Sequence, residues 1–317
     1  MSMAQNPETI VQEIPLDRLP QGFAARLESP PQHPSTPRPA ATVALFRQGS
    51  AQSMDDPESH LPASPGADDR AGDGGSPGLE ILLLQRVRSA GFVPGAYVFP
   101  GGRVDPSDGS VGILDHLDGA DPREFSARLG IRGDDPPAFA YLVAALREAF
   151  EETGILPGLT RTIPHSRLGA LRTALLQGET TFPKVLRDLD VILDARTTSY
   201  IAHWVTPEAE PRRYDTRFFA MEVPRGAHVS PQRSEVSQAL WIEPGLALRR
   251  NRAGELPMVF PTIRTLEELA NFQSADELRD HYDARRIPRI LPRLVRTPTG
   301  VGISVPDTST PSPDTTP

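Results

Sequence analysis

The segment that most constrains this chain is AYLVAALREAFEETGIL, at residues 140–156. In an α-helix, at about 100° per residue, Glu151 lies about 60° to one side of Glu148 and Glu152 about 40° to the other. The three carboxylates therefore share one face. The opposite face carries the apolar residues Leu142, Val143, Leu146 and Phe150. The pattern predicts a helix with a core face and an acidic face, ended by Gly154.

Three carboxylates in the last turn of a helix are unfavourable without a counter-charge. Like charges three and four residues apart repel each other, and the negative end of the helix dipole disfavours carboxylates. The ordinary interpretation of such a pattern is a solvated acidic face. The alternative is a site for a hard divalent cation, Mg²⁺ or Mn²⁺, which takes carboxylate and carbonyl oxygens as ligands. Arg147 can pair with Glu151 and fix the orientation of its carboxylate.

A second chemical feature lies upstream, in the loop FPGGRVDPSD that follows a short predicted strand. Gly101 and Gly102 carry no side chain, so the backbone can come close to a ligand or a metal ion. Asp105 and Asp108 add two carboxylates to the same loop. A Gly-Gly turn near aspartates is common in proteins, but together with the acidic helix it predicts a joint binding site.

These two motifs resemble the Nudix hydrolases, which share the box G-x5-E-x7-R-E-U-x-E-E-x-G-U, where U is a bulky apolar residue. The second half is matched by Arg147, Glu148, Glu151, Glu152, Gly154 and Ile155, with the small Ala149 at one bulky position. In the first half, Asp108 stands six residues after Gly102, where the family usually has Glu. Between Asp108 and Arg147 stand 38 residues instead of seven. The resemblance therefore implies a lobe inserted before the acidic helix.

The resemblance also implies roles for individual residues. Catalysis is expected from Glu148, Glu151 and Arg147. Metal binding is expected from Glu148, Glu151, Glu152 and Gly102, with Mg²⁺ or Mn²⁺ as the cofactor. Whether Glu148 is a ligand or the base that activates water stays open, and Glu235 is an alternative base. The residues expected to contact substrate are Arg86, Gly101, Asp105, Asp108 and Arg217.

Similarity to the family extends beyond the box. LLLQR, PGAYVFPGG, HWVTP and RYDTRFF look like segments of a long-insert branch that includes a peroxisomal coenzyme A diphosphatase. The longer signature of coenzyme A enzymes, LLTxR[SA]x3Rx3Gx3FPGG, is met only in part, because Leu84, Val87 and Gly91 replace its Thr, Ser/Ala and second Arg.

The activity implied is metal-dependent hydrolysis of the diphosphate bond in a nucleoside diphosphate linked to another moiety. Coenzyme A and acyl-CoAs are among the substrates to consider. The alternative is a non-catalytic Nudix-fold module that binds a nucleotide-like ligand.

Predicted strands and helices alternate irregularly, which is typical of an α+β fold. The resemblance sharpens this to a Nudix-type α/β/α sandwich with a mixed sheet. We expect a hairpin of strands at 42–46 and 79–86, and further strands at 96–99, 200–205, 217–223 and 236–242. Helices are predicted at 122–129, 139–152, 167–176 and 246–252. Two more helices are expected to start at the capping-box residues Thr265 and Ser274.

Proline and glycine mark the expected limits of the folded parts. The segment at 48–78 consists mostly of Gly, Ser, Asp and Pro. It therefore has too little apolar surface for burial to offset the conformational entropy that ordering would cost. We expect a Pro-rich N-terminal segment at 1–40 and a Nudix hydrolase domain at 41–255. Within that domain we expect a disordered loop at 48–78 and the inserted lobe at 109–137. A helical C-terminal extension at 256–297 and a disordered tail at 298–317 complete the expected organisation.

Composition excludes several classes of protein. The chain has no cysteine, which excludes disulfides, zinc-thiolate sites and thiol nucleophiles and favours a cytoplasmic setting. It has 41 acidic and 33 basic residues, a net charge of −8, which argues against tracking along a nucleic acid duplex. No apolar run approaches the length of a membrane span. The expected partner is a small-molecule diphosphate, with neither a nucleic acid duplex nor a membrane.

Overall fold

The computed structural model describes residues 9–14, 33–49, 78–89, 93–297 and 300–306. The strands are β1 (Thr9–Ile14), β2 (Arg38–Gln48), β3 (Leu79–Arg86), β4 (Tyr97–Val98), β5 (Gly101–Arg103), β6 (Leu117–Asp118), β7 (Leu193–Asp194), β8 (Thr198–Val205), β9 (Tyr214–Glu222), β10 (Val236–Ile242), β11 (Arg289–Ile290), β12 (Arg293–Thr297) and β13 (Gly300–Pro306). The α-helices are α1 (Pro122–Leu129), α2 (Ala138–Thr153), α3 (His165–Leu176), α4 (Phe182–Leu189), α5 (Pro244–Arg252), α6 (Phe260–Leu269) and α7 (Ala275–Asp283).

A mixed eight-stranded sheet lies at the centre of the described chain. Its order is β10-β3-β2-β9-β8-β11, with β4 paired to β3 and β5 paired to β2. Strand β2 is antiparallel to β3 and β5 and parallel to β9. Because Ala41 pairs with Gly102 and Thr42 with Gly101, the glycine loop lies beside the middle of the sheet.

Helices cover both faces of this sheet. Successive side chains of a strand point to opposite faces, and β2 follows this rule. Val43 and Leu45 join the core shared with α2 and α4, whereas Ala44 and Phe46 join the core shared with α5, α6 and α7. The observed architecture is the expected α+β sandwich of helices on a mixed sheet.

The local predictions were confirmed at some element boundaries and wrong at others. The hairpin of β2 and β3 is present, with Phe46 opposite Ile81. Ser274 caps α7 by accepting a hydrogen bond from the amide of Glu277 at 3.2 Å. The start predicted at Thr265 is wrong, because α6 already begins at Phe260 and Thr265 is buried inside it.

Helix α4 and the strands of the C-terminal region were not predicted. The helical extension predicted at 256–297 is wrong beyond α7, where the chain forms β11 and β12. The disordered tail predicted at 298–317 is wrong for β13, which pairs with β1 and β12 in a separate three-stranded sheet. The pairing partner β1 lies at the other end of the chain, so local sequence gives no sign of it.

Residues 50–77 of the loop predicted at 48–78, and residues 307–317 of the predicted tail, lie outside the described residues. The domain boundaries stay predictions. None of the helices within the described ranges combines the length and the apolar character needed to cross a membrane.

Candidate functional site

Helix α2 carries the three glutamates of the predicted site. It ends at Gly154, whose φ of 75° is a left-handed conformation that glycine adopts without strain, as predicted. Its apolar side chains, including Leu142 and Leu146, are buried in the core on the α2 face of the sheet. The helix is thereby fixed against the middle of the sheet, close to the glycine loop of β5.

The glutamates are more buried than a solvated face allows. The side chains of Glu148 and Glu151 are 16% and 20% exposed, and Glu152 is 5% exposed. Burial is the main cause that raises the pKa of Glu148 to about 7. Burial, followed by the charge of Glu148, raises the pKa of Glu152 well above its ordinary value. The ordinary interpretation, a solvated acidic face, therefore does not fit the structure.

The two glycines of β5 contact these glutamates directly. The amide of Gly101 donates a hydrogen bond to Oε2 of Glu152 at 3.2 Å. A side chain at Gly102 would overlap the carboxylate of Glu148. The missing side chains are thus what lets β5 approach the acidic end of α2.

We expect Gly102→Ala to displace the carboxylate of Glu148. The added Cβ would lie 2.7 Å from Oε2 of Glu148 and closer still to Oε1, so the carboxylate must move. A displacement of this size is expected to lower kcat by roughly 10-fold to 100-fold, measured by steady-state kinetics. Gly112→Ala is the matched control, because its Cβ would meet no atom within 4 Å. Equal kcat values in the two variants would contradict this role of Gly102.

Arg147 is the centre of a buried ionic network beside the glutamates. Its guanidinium donates to both carboxylate oxygens of Asp108, at 3.0 and 3.1 Å, and to the carbonyl of Arg103 at 2.8 Å. Its Nη1 also donates to Glu148 at 2.7 Å and to Glu151 at 3.4 Å. The predicted pair with Glu151 is present, but it is the longest of these contacts. Arg147 therefore joins α2 to the glycine loop and orients two of the glutamates.

Asp108, for which a substrate contact was predicted, lies in a buried ionic network with Arg147. Asp108 is fully buried, and besides its bonds to Arg147 it accepts a hydrogen bond from the amide of Asp105 at 2.8 Å. Asp105 in turn is exposed and caps the 3-10 turn Pro106–Gly109 through the amide of Ser107, a hydrogen bond that lowers its pKa. The D-x-x-D spacing is that of a reciprocal capping box, which could have indicated this structural role from the sequence.

Arg217, for which a substrate contact was also predicted, is likewise buried. Its side chain is 2% exposed and pairs with Asp215 at 2.8 Å. The guanidinium lies 4.0 Å from the centre of the Tyr141 ring on α2, and 3.6 Å from Asp135 in the segment before α2. Arg217 therefore links β9 to α2 and to the inserted segment.

Arg86 and Glu235 lie close enough to Glu152 for their charges to affect its pKa. Arg86 ends β3 and pairs with Val236 of β10, and the amide of Val87 donates to the carbonyl of Glu235 at 2.9 Å. After burial, which is the largest cause, the charge of Glu235 contributes to the raised pKa of Glu152, and Arg86 opposes it. Among the described residues, Nε of Arg86 is buried without a hydrogen-bond partner.

The donors at this site fit a hard divalent cation. In the described ranges, no three His, Asp or Glu side chains already stand in a metal-binding arrangement. Glu148 accepts a hydrogen bond from Arg147 and Glu152 accepts one from the amide of Gly101, so protein groups hold both carboxylates. The donor set nevertheless consists of carboxylate oxygens, which such cations prefer, and burial raises the pKa of Glu148 and Glu152, so a nearby positive charge would favour their ionised forms.

Comparison with known proteins identifies relatives across most of the chain. A family model described as the NUDT19 Nudix domain matches residues 38–269. The acyl-coenzyme A diphosphatase NUDT19 of Gallus gallus is 29% identical over 248 residues, which cover 66% of this chain and 65% of that protein. The protein of the same name from Homo sapiens is 29% identical over 307 residues, covering 84% of this chain and 78% of that protein. The chain thus spans slightly less than two thirds of the chicken relative.

A solved structure shares the fold. A NUDIX hydrolase from Alicyclobacillus acidocaldarius superposes with a TM-score of 0.56 at 26% sequence identity, covering 78% of this chain and 96% of that chain. The family model spans well over half of the 317 residues and includes the glycine loop and the acidic helix. This chain therefore belongs to the NUDT19 Nudix domain family.

Proposed function

We propose that this protein is a metal-dependent Nudix hydrolase that cleaves the diphosphate bond of a nucleoside diphosphate linked to another moiety, with coenzyme A or an acyl-CoA as the substrate class. The observation that carries the proposal is the largely buried cluster of Glu148, Glu151 and Glu152 against two glycines. The names of the chicken and human relatives, both acyl-coenzyme A diphosphatases, support the substrate class. A cytoplasmic setting, expected from the cysteine-free sequence, stays a prediction.

The proposed metal ligands are Glu148, Glu151 and Glu152, with the backbone at Gly102 close enough to contribute. Nudix hydrolases generally use divalent metal ions, and we propose Mg²⁺ or Mn²⁺ here. Such an ion, when bound, neutralises the charge of the diphosphate and makes a coordinated water easier to deprotonate. Arg147 holds the carboxylates of Glu148 and Glu151 in place through its hydrogen bonds.

Hydrolysis also needs a base and a cation for the phosphate groups. A carboxylate accepts a proton from the attacking water while the water oxygen bonds to one phosphorus atom. The bond between that phosphorus and the bridging oxygen breaks, and the other phosphate leaves with the bridging oxygen. We propose Glu148 as this base, with Glu235 as the alternative. Arg86, with a buried Nε that lacks a partner among the described residues, is the proposed contact for a substrate phosphate oxygen.

We expect Arg86→Gln to raise KM more than it lowers kcat. Hydrogen bonds to charged groups contribute about 1.5–3 kcal/mol, which corresponds to a rise in KM of roughly 10-fold to 100-fold. Steady-state kinetics measures both constants, with Arg252→Gln as the control because Arg252 is exposed on α5. An unchanged KM in Arg86→Gln would remove Arg86 from the substrate contacts.

The decisive experiment is a metal-dependent hydrolysis assay. Coenzyme A, acyl-CoAs, NADH, ADP-ribose, dinucleoside polyphosphates and nucleotide sugars are incubated with the protein and Mg²⁺ or Mn²⁺, and product masses locate the broken bond. We expect coenzyme A or an acyl-CoA to yield two phosphomonoesters, one of which carries the pantetheine part. Ligand binding without metal-dependent turnover would instead support the non-catalytic module.

A further inference from the structure

The acidic end of α2 is held from outside the helix. The last carbonyl groups of any α-helix lack partners within it. Here the carbonyl of Glu152 accepts a hydrogen bond from the amide of Gln232 at 2.9 Å, and that of Thr153 from the amide of Ser230 at 2.7 Å. The loop between β9 and β10, which also carries Glu235, therefore fixes two of these carbonyl groups.

A side chain fixes the carbonyl of Glu151. Arg172 of α3 donates to it twice, from Nε at 3.0 Å and from Nη2 at 2.7 Å. The contact is tightly packed, because a Cβ added to Gly154 would lie 3.3 Å from Nη1 of Arg172 and 3.4 Å from Cβ of Ser230. Arg172 is partly buried, and its two hydrogen bonds join α3 to the last turn of α2.

The position of this cation suits the charge of the helix end. A positive group at the C-terminus of a helix interacts favourably with the negative pole of the helix dipole. Arg172 approaches the main chain of Glu151, whereas the carboxylate of Glu151 lies on the side of Arg147. Arg172 thus fixes the backbone from which the glutamates project, while Arg147 orients their side chains.

We propose that Arg172 is a positioning residue for the glutamate cluster, acting through its bonds to the carbonyl of Glu151. It sets the last turn of α2 and thereby the direction of the Glu151 and Glu152 side chains. The inference rests on the proposed function for its effect on catalysis, and on the geometry alone for its effect on the helix end.

The test compares Arg172→Ala, Arg172→Lys and Arg167→Ala. Arg167 is the matched control, because it also lies on α3 and donates to a main-chain carbonyl, but to that of Asp188 on α4 and not to one on α2. Residues that orient metal ligands typically account for 10-fold to 100-fold in metal affinity or activity. We expect Arg172→Ala to lose about 10-fold or more in both kcat and Mn²⁺ affinity, with KM changing less, and Arg172→Lys to recover part of the loss.

Amide hydrogen exchange gives a readout that does not depend on turnover. The amide of Gly154, bonded to the carbonyl of Phe150 at 2.9 Å, is expected to exchange faster in Arg172→Ala than in Arg167→Ala. If the wild-type protein hydrolyses nothing, the proposed function fails and this exchange comparison still decides the role of Arg172. Equal exchange, or equal kcat and Mn²⁺ affinity in the two alanine variants, would overturn the proposal. Should Arg172→Ala not fold, the same comparison is made with Arg172→Lys.

Discussion

Glu152→Gln is expected to lower kcat by more than about 100-fold while leaving the protein folded. Residues that only support metal ligands already account for 10-fold to 100-fold, so loss of a direct ligand costs more. The substitution keeps the shape of the side chain, and the amide oxygen of Gln can still accept the hydrogen bond from Gly101. Because it removes a buried carboxylate that interacts unfavourably with Glu148 and Glu235, we expect the thermal midpoint without metal to stay constant or rise.

The measurements are kcat at saturating Mg²⁺ or Mn²⁺, Mn²⁺ affinity by calorimetry and the thermal midpoint. Glu208→Gln is the control, since Glu208 is an exposed carboxylate on the turn after β8. A folded Glu152→Gln protein with near wild-type turnover on a confirmed substrate would show that the metal site has been assigned to the wrong residues.

The acidic helix could be predicted from the sequence because its information is local. The 3.6-residue period places Glu148, Glu151 and Glu152 on one face wherever the helix lies, and Gly154 marks its end. The adjacent glycine loop could also be predicted, because a Gly-Gly pair after a strand lets the backbone come close to a ligand or to another part of the chain. These short-range features carry the family resemblance.

The contacts that hold the site in place could not be predicted in the same way. Asp108 and Arg147 are 39 positions apart, and Arg172 lies 21 positions from Glu151. Spacing in the sequence does not show that such residues are in contact, because the contact depends on how the intervening lobe and helix fold. For the same reason Arg217 was predicted to face substrate, although Asp215 and Tyr141 enclose it.

Asp108 is expected to be the more important of two neighbouring aspartates for the free energy of unfolding. Asp108→Ala removes both carboxylate bonds from the buried guanidinium of Arg147. Breaking a buried ion pair by deleting one partner costs about 3–5 kcal/mol. Asp105→Ala, three residues earlier, removes an exposed cap, for which the expected cost is about 1 kcal/mol. Urea unfolding of both variants measures this difference.

The same pair of variants separates stability from catalysis. Without Asp108, Arg147 keeps its bonds to Glu148 and the carbonyl of Arg103. Its guanidinium loses the two hydrogen bonds to the Asp108 carboxylate that help to fix its orientation. We therefore expect kcat to fall in Asp108→Ala at temperatures where the protein is fully folded, and to stay close to the wild-type value in Asp105→Ala. Equal unfolding free energies in the two variants would mean that the ion pair of Asp108 stabilises the protein no more than the exposed cap of Asp105 does. Asp108 would then give no information about how the inserted lobe at 109–137 is joined to the acidic helix.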